Sequence, residues 1–219
     1  MTQAKALIIP VTPFQQNCTL LWCEATKRGV VIDPGGDLPD IERAIAQANV
    51  AVDKIWLTHG HVDHVAGAAA LKARLKVPIE GPHRDDLFLL EHVVESARNF
   101  GMQDASSVTP DRWLEERDQV EVGELTFAVV HCPGHSPGSV VFLNAAQRLA
   151  IVGDVLFAGS VGRTDLPGGD QRQLLKSIRD KLLPLADDVA IISGHGPTTT
   201  IGRERATNPF LQLLAAASR

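Results

Sequence analysis

The segment Thr58-His59-Gly60-His61-Val62-Asp63-His64 constrains this chain more than any other, because three imidazoles and a carboxylate fall within six residues. Ahead of it, Val52-Asp53-Lys54-Ile55-Trp56-Leu57 reads as a mostly apolar strand. After it, Val65 to about Lys76 reads as a helix. The cluster therefore sits on a strand-to-helix turn, where side chains converge without being tied to one helical face. His59 and His61 are two apart and share one side of an extended segment. Asp63 and His64 follow the bend and need not point at the same atom. A zinc-protease helix would read His-Glu-x-x-His, and that pattern is absent. Histidine and carboxylate clusters are the usual zinc and iron ligands, so the turn reads as the heart of a metal site.

One loop does not complete such a site. Three later stretches supply candidates, each at a strand end: His135 in His131-Cys132-Pro133-Gly134-His135-Ser136-Pro137-Gly138, Asp154 in Ile151-Val152-Gly153-Asp154, and His195 in Ser193-Gly194-His195-Gly196. Strand ends meeting on one rim are a normal way to build a site.

Composition narrows the class. A length of 219 residues fits one large domain or two small ones, and 44% hydrophobic residues suffice for a core. A formal net charge of -5 without a basic run argues against nucleic acid as a partner. No apolar run is long enough to span a membrane, and the N-terminal residues lack a secretory pattern. Cys18, Cys23 and Cys132 form no Cys-x-x-Cys pair, so they read as buried small residues in a reducing cytoplasm; Cys132 is a minor ligand candidate.

Strands are expected over 5–11, 18–24, 29–32, 52–57 and 78–80, hairpins over 119–130 and 139–152, and a strand over 189–192. Helices are expected over 40–48 with Asp37 as candidate cap, over 84–100, and over 171–183 capped by Asp170 with Gln173 in capping-box position. Asn208-Pro209 opens a last helix. His83 and His92 read as solvated or core-edge residues. Residues 101–117 read as an irregular stretch beside the site's mouth, and 157–169 as a glycine-rich loop. Strands followed by mixed strand and helix, twice over, suggest one layered domain with two sheets between helices.

The Thr-His-x-His-x-Asp-His core, the Asp33-Pro34-Gly35-Gly36 turn, Pro133-Gly134-His135-Ser136-Pro137-Gly138, Gly153-Asp154, Gly194-His195-Gly196 and Asn208-Pro209-Phe210 together resemble the metallo-β-lactamase superfamily, and within it the glyoxalase II-type hydrolases. The resemblance covers nearly the whole chain and implies an α/β fold, the four-layer αββα sandwich, as a single domain over residues 1–219. It implies that His59, His61 and His135 bind a first metal and Asp63, His64 and His195 a second, with Asp154 bridging. Asp63 is also the candidate catalytic residue. Two zinc ions are expected, with iron or manganese as substitutes, and the implied reaction is hydrolysis of a thioester such as S-lactoylglutathione by hydroxide held between the metals.

Two other readings stand beside it. An iron-dependent persulfide dioxygenase resembles the chain in Gly162-Arg163-Thr164-Asp165, and a metal-binding module without catalysis is the non-enzyme alternative. β-Lactamases of the superfamily usually carry cysteine where Asp154 stands and are exported, and its nucleases carry an inserted domain. The larger glyoxalase II enzymes add a helical region with tyrosines that grip glutathione, whereas this chain has no tyrosine. Arg203 and Arg205 read first as surface charges and second as contacts to an anionic substrate, His131 as structural or as a support behind the ligands, and Asp165 first as holding its loop and second as hydrogen-bonding near the site.

Overall fold

In the computed structural model, residues 2–102 and 105–212 are described. The first half builds a sheet in the order β1-β2-β3-β4-β5 from β1 (Ala4–Val11), β2 (Gln16–Cys23), β3 (Arg28–Ile32), β4 (Ala51–Trp56) and β5 (Ile79–Glu80). The second half builds a sheet in the order β13-β12-β9-β8-β7-β6. Its strands are β6 (Gln119–Val122), β7 (Leu125–His131), β8 (Val140–Asn144), β9 (Leu149–Gly153), β12 (Ala190–Ser193) and β13 (Thr199–Thr200). A small hairpin, β10 (Leu156–Phe157) and β11 (Ser160–Val161), interrupts the 157–169 loop.

Period-2 alternation makes the layers, since successive strand residues point to opposite faces. Leu21, Val30, Ile32 and Trp56 face Phe127, Val129, Val140 and Phe142 between the sheets. Trp56 stacks on Phe142 at 4.8 Å and meets Phe127 edge-on at 5.6 Å. The neighbours Leu20, Val31 and Ile55 turn outward under α1 (Leu38–Ala48), α3 (Ala68–Leu75) and α5 (Val93–Asn99). On the far side, Val141, Ala150, Val152 and Ile191 pack under α6 (Gln171–Ser177) and α7 (Ile201–Thr207). The expected four-layer αββα order is the one observed. Among the described residues no helix is long and apolar enough to cross a membrane.

Local expectations fail in instructive places. The helix after the histidines starts earlier and breaks: α2 (Val62–Val65) lies inside the cluster, and α3 begins only after Gly67. Asp63 and His64 are thus consecutive residues of one helical turn and point in different directions. Asp37 does stand at the N-cap of α1, but its carboxylate makes no capping bond; it accepts the Thr12 N–H at 2.7 Å and ties the β1–β2 turn instead. The 84–100 helix is a 3-10 turn followed by α4 (Leu87–Glu91) and α5, interrupted at His92. Asp170 does cap α6, accepting from Gln173 N at 3.0 Å, but the Gln173 side chain reaches toward Ser177 rather than back to the cap. That helix passes into a π-helical stretch over Ile178–Leu182. Within 101–117, the described residues past Met102 do not border the metal-side cavity. They run along β5 instead, through Asp111 N to Ile79 O and Gly81 N to Arg112 O. The helix α7, capped by Thr200, went unanticipated because Gly202 and its alternating charges carry no apolar period. Pro209 is the first residue of a helical stretch described to residue 212.

Candidate metal centre

β3 and β4 run parallel in the first sheet, and β7, β9 and β12 share one direction in the second. Their C-terminal ends therefore open on one rim, and each candidate ligand follows one of these ends. Main-chain bonds stitch the sheets together there: Val140 N to Thr58 O at 2.8 Å, and Asn17 N to Gly194 O at 2.7 Å. Asn17 Nδ2 also donates to Ser193 O and Gly196 O.

On this rim two triads assemble. His135 Nε2 lies 3.2 Å from His59 Nε2 and 2.8 Å from His61 Nδ1. His195 Nε2 lies 3.1 Å from Asp63 Oδ2, which is 3.8 Å from His64 Nε2. Tetrahedral zinc with nitrogen ligands at about 2.0–2.1 Å separates those ligands by about 3.3 Å, so both spacings suit an ion. Asp154 stands between the triads: Oδ1 is 3.3 Å from His64 Nε2, and Oδ2 is 3.6 Å from both His135 Nε2 and His195 Nε2. All seven residues named from the sequence meet here.

Polar satisfaction supports the fit of a metal. Among the described residues, the buried side-chain polar atoms left without a hydrogen-bond partner are Gln16 Oε1, His61 Nε2, His64 Nε2 and Asp154 Oδ1; the last two lie 3.3 Å apart between the triads, where an ion would satisfy both. Buried polar atoms are rarely left so. The Nδ1 atoms of four of the histidines are held from behind, as in metal-ligating histidines. His59 Nδ1 is 3.0 Å from Thr58 Oγ, His64 Nδ1 2.8 Å from Asp33, His135 Nδ1 2.7 Å from Arg163 O, and His195 Nδ1 3.3 Å from Phe14 O.

The electrostatics agree. Burial, with the neighbouring imidazoles, holds His59 well below the usual histidine range and brings His61 to about 3; burial also lowers His135 despite Asp154. Neutral imidazole with a free lone pair is the ligating form. Burial opposes a proton on His64, but the Asp154 and Asp63 carboxylates outweigh it and raise its pKa. Burial likewise works against ionised Asp154, yet His64 and the other imidazoles keep it below the carboxylate range. Carboxylates that draw a proton into this space draw a cation equally well.

Two carboxylates escaped the sequence reading. Asp33 accepts from Thr58 N at 2.8 Å, Thr58 Oγ at 2.5 Å and His64 Nδ1 at 2.8 Å, so one buried group orients a histidine of each triad, His59 through Thr58. Its position at a strand end was the available signal. Asp86 accepts from Gly60 N at 2.7 Å, Ser136 Oγ at 2.8 Å and Gly138 N at 2.5 Å, clamping the two loops of the first triad. Burial pushes it up to about 6 against those hydrogen bonds. Arg84-Asp85-Asp86 falls at the start of the helix expected over 84–100, and nothing local in the sequence marks Asp86 as buried. Gly194 is required by close approach, since a Cβ there would lie 2.1 Å from Asp154 Oδ1.

Other expectations resolve simply. Cys18, Cys23 and Cys132 are free and buried, and Cys132 packs under α6 with its thiol raised by burial to about 12. His131 Nε2 donates to Pro137 O, 2.8 Å away, and the ring stacks on His83 at 4.0 Å and 14°. Nearly parallel rings cannot both aim lone pairs at one ion, so the His83, Asp85 and His131 group is not ligand-like. Asp165 pairs with Arg163 through two 2.7 Å bonds and holds the loop. Arg205 ties down Leu183 O and Leu185 O, and Arg203 is exposed; neither borders the cavity.

Residues 11–195 match the family model described as Metallo-beta-lactamase superfamily. The chain belongs to the metallo-β-lactamase superfamily. It is similar to a hydroxyacylglutathione hydrolase, GloC, of Haemophilus influenzae, at 45% identity over 93% of this chain and 96% of that one. Two solved members superpose on it at 38% identity. The BLEG-1 B3 metallo-β-lactamase has a TM-score of 0.87 over 94% of this chain and 99% of that one. TTHA1623 in a di-iron-bound form has a TM-score of 0.84 over 94% of this chain and 100% of that one.

Proposed function

We propose that this metal-dependent hydrolase cleaves thioesters, with S-acyl glutathiones such as S-lactoylglutathione as the first substrates to try. In this reading His59, His61 and His135 hold one ion, Asp63, His64 and His195 hold the other, and Asp154 is shared. The observation that carries it is the position of Asp154, whose two oxygens reach His64, His135 and His195 at 3.3–3.6 Å. The similarity to the Haemophilus hydroxyacylglutathione hydrolase supports the acyl-thiol substrate.

Bound in such a site, metal ions polarise a carbonyl and acidify water to near neutrality. The chain's own groups do the rest. Asp33, Thr58, Arg163 O and Phe14 O fix the ring tautomers that keep the ligating nitrogens unprotonated. Asp63, the proposed catalytic carboxylate, borders the cavity beside His195 and is held ionised: burial opposes this, and His64 and His195 outweigh it. No serine or cysteine nucleophile is needed. The nitrogen and oxygen donor set suits zinc, and iron or manganese equally; the di-iron-bound relative keeps iron in play.

The test is metal analysis of protein purified without chelator, beside hydrolysis of S-lactoylglutathione. Up to two ions per chain and release of free thiol are expected. One tightly bound iron, with oxygen uptake on glutathione persulfide and no thioester cleavage, would replace the hydrolase with a dioxygenase. Efficient opening of a β-lactam without thioester cleavage would instead align the chain with the BLEG-1 enzyme.

A further inference from the structure

The metal centre opens into a cavity of about 560 Å³ bordered by His61, Asp63, His135, Asp154 and His195. That volume is in the range of sites that enclose a drug-sized molecule and far exceeds a lactoyl group. Its other walls are mostly apolar, with Phe14, Leu89, Val93, Phe100, Phe157 and Leu166 prominent and Ser96, Ser160 and Arg163 the polar exceptions. Phe14, from the β1–β2 turn, and Phe100, after α5, meet edge to face at 5.4 Å and 85°. Both rings stay open to solvent, at 42% and 55% exposure, and so leave an apolar surface at the mouth of a reactive site. Glu204 keeps the β10–β11 wall in place by accepting from Gly159 N at 2.8 Å, and Asn208 Nδ2 donates to Ser160 O at 3.0 Å.

Charge points the same way. Among the described residues that border the cavity, Arg163 is the one arginine or lysine, and its guanidinium is occupied by Asp165. Away from the metal-ligating end, the cleft offers an anionic thiol no unpaired arginine or lysine, whereas an uncharged acyl chain there would exchange water for carbon.

Resting on the thioester reading, we infer that the site selects thioesters by an apolar acyl group. The acyl chain lies in the cleft between Phe14, Phe100, Leu89 and Val93, and the charged thiol part lies on the exposed rim at Arg163 and Asp165. In the reaction, water supplies an oxygen to the acyl carbon and the C–S bond breaks. The sulfur leaves with the electron pair and takes one of the water's protons, and the other passes to solvent, giving a carboxylate and a thiol. S-lactoylglutathione, with its small polar acyl group, is then cleaved, but less efficiently than thioesters with longer apolar acyl groups.

The experiment holds the thiol as glutathione and varies the acyl group through lactoyl, acetyl, butanoyl, hexanoyl and phenylacetyl with the metal-loaded full chain. Each added methylene buried in the cleft should raise kcat/KM by up to about fourfold. Phe100→Ala, a change at an exposed ring, and Phe14→Ala should flatten that rise without altering metal content. In parallel, calorimetry measures binding of acetate, lactate, hexanoate and phenylacetate, the product carboxylates, to the same metal-loaded protein. Tighter binding of hexanoate than acetate, weakened by Phe100→Ala, supports the apolar subsite even if no thioester is cleaved, an outcome that would sink only the hydrolase reading. A flat acyl series, or lactoyl as the best substrate, overturns the inference and leaves the hydrolase standing. An undiminished acyl preference in both phenylalanine variants also overturns it.

Discussion

Asp33→Asn tests whether hydrogen-bond direction, rather than ligand identity alone, prepares the metal centre. Asp33 is 3% exposed. Its Oδ1 accepts Thr58 N at 2.8 Å, and its Oδ2 accepts both Thr58 Oγ at 2.5 Å and His64 Nδ1 at 2.8 Å. Asparagine keeps the shape but puts an amide N–H₂ where Oδ2 was. If its oxygen stays on Thr58 N, His64 must offer a lone pair at Nδ1 and carry its proton on Nε2. That is the atom 3.3 Å from Asp154 Oδ1, and a protonated nitrogen cannot ligate. Losing such a supporting partner lowers metal affinity about 10–100-fold. With the contacts to Thr58 Oγ and His64 Nδ1 re-formed in reverse, the loss is the difference between charged and neutral hydrogen bonds, about 1 kcal/mol for each. For a chain of this size, about 2 kcal/mol is a fall of about 4–8 °C in Tm of the metal-free protein. The assay is zinc titration against a chromogenic chelator, with calorimetric unfolding in excess chelator. The weaker of the two ions should be affected most. Parent affinity for both ions in a folded Asp33→Asn protein would refute the tautomer argument.

Asp154→Asn keeps volume and removes the shared charge, so metal content and thioester turnover should both fall sharply; full metal occupancy with near-normal turnover would sink the bridging role. The metal-free protein should be most stable near pH 6.5, as read by urea unfolding across pH 4–9 in chelator. Below 6.5 the folded state keeps His59, His61 and His135 neutral while the unfolded chain protonates them. Each therefore removes up to about 1.4 kcal/mol per pH unit as pH falls, and Asp86, raised to about 6, offsets one of them. Above 6.5 His64 and His195, whose folded pKa values are raised, make stability fall as pH rises; a monotonic rise to pH 9 would contradict this. Asp170→Ala removes the cap on Gln173 N and should cost about 1 kcal/mol, lowering Tm by about 2–4 °C with metal content unchanged.

The sequence determined the candidate ligand set and the layer order. Alternation of Leu20 with Leu21 and of Val140 with Val141 decides which core each residue enters, and period-2 alternation is a local property. The ligand turn is local too, because three histidines and an aspartate within six residues need no partner to be noticed. His135, Asp154 and His195 could be named because each ends an apolar strand beside a glycine. Tertiary structure alone decided which nitrogen of each ring faces the centre. That choice rests on Thr58, Asp33, Arg163 O and Phe14 O, the last two lying 28 and 181 residues from the histidines they hold. Asp86 belongs to the same class: its partners Gly60, Ser136 and Gly138 come from two distant loops. The apolar cleft does as well, since Phe14 and Phe100 meet only after the first sheet and α5 have packed. Local pattern reports periodicity and residue type, whereas the direction of a hydrogen bond and the wall of a cavity are set by whichever distant segments the packed layers bring together.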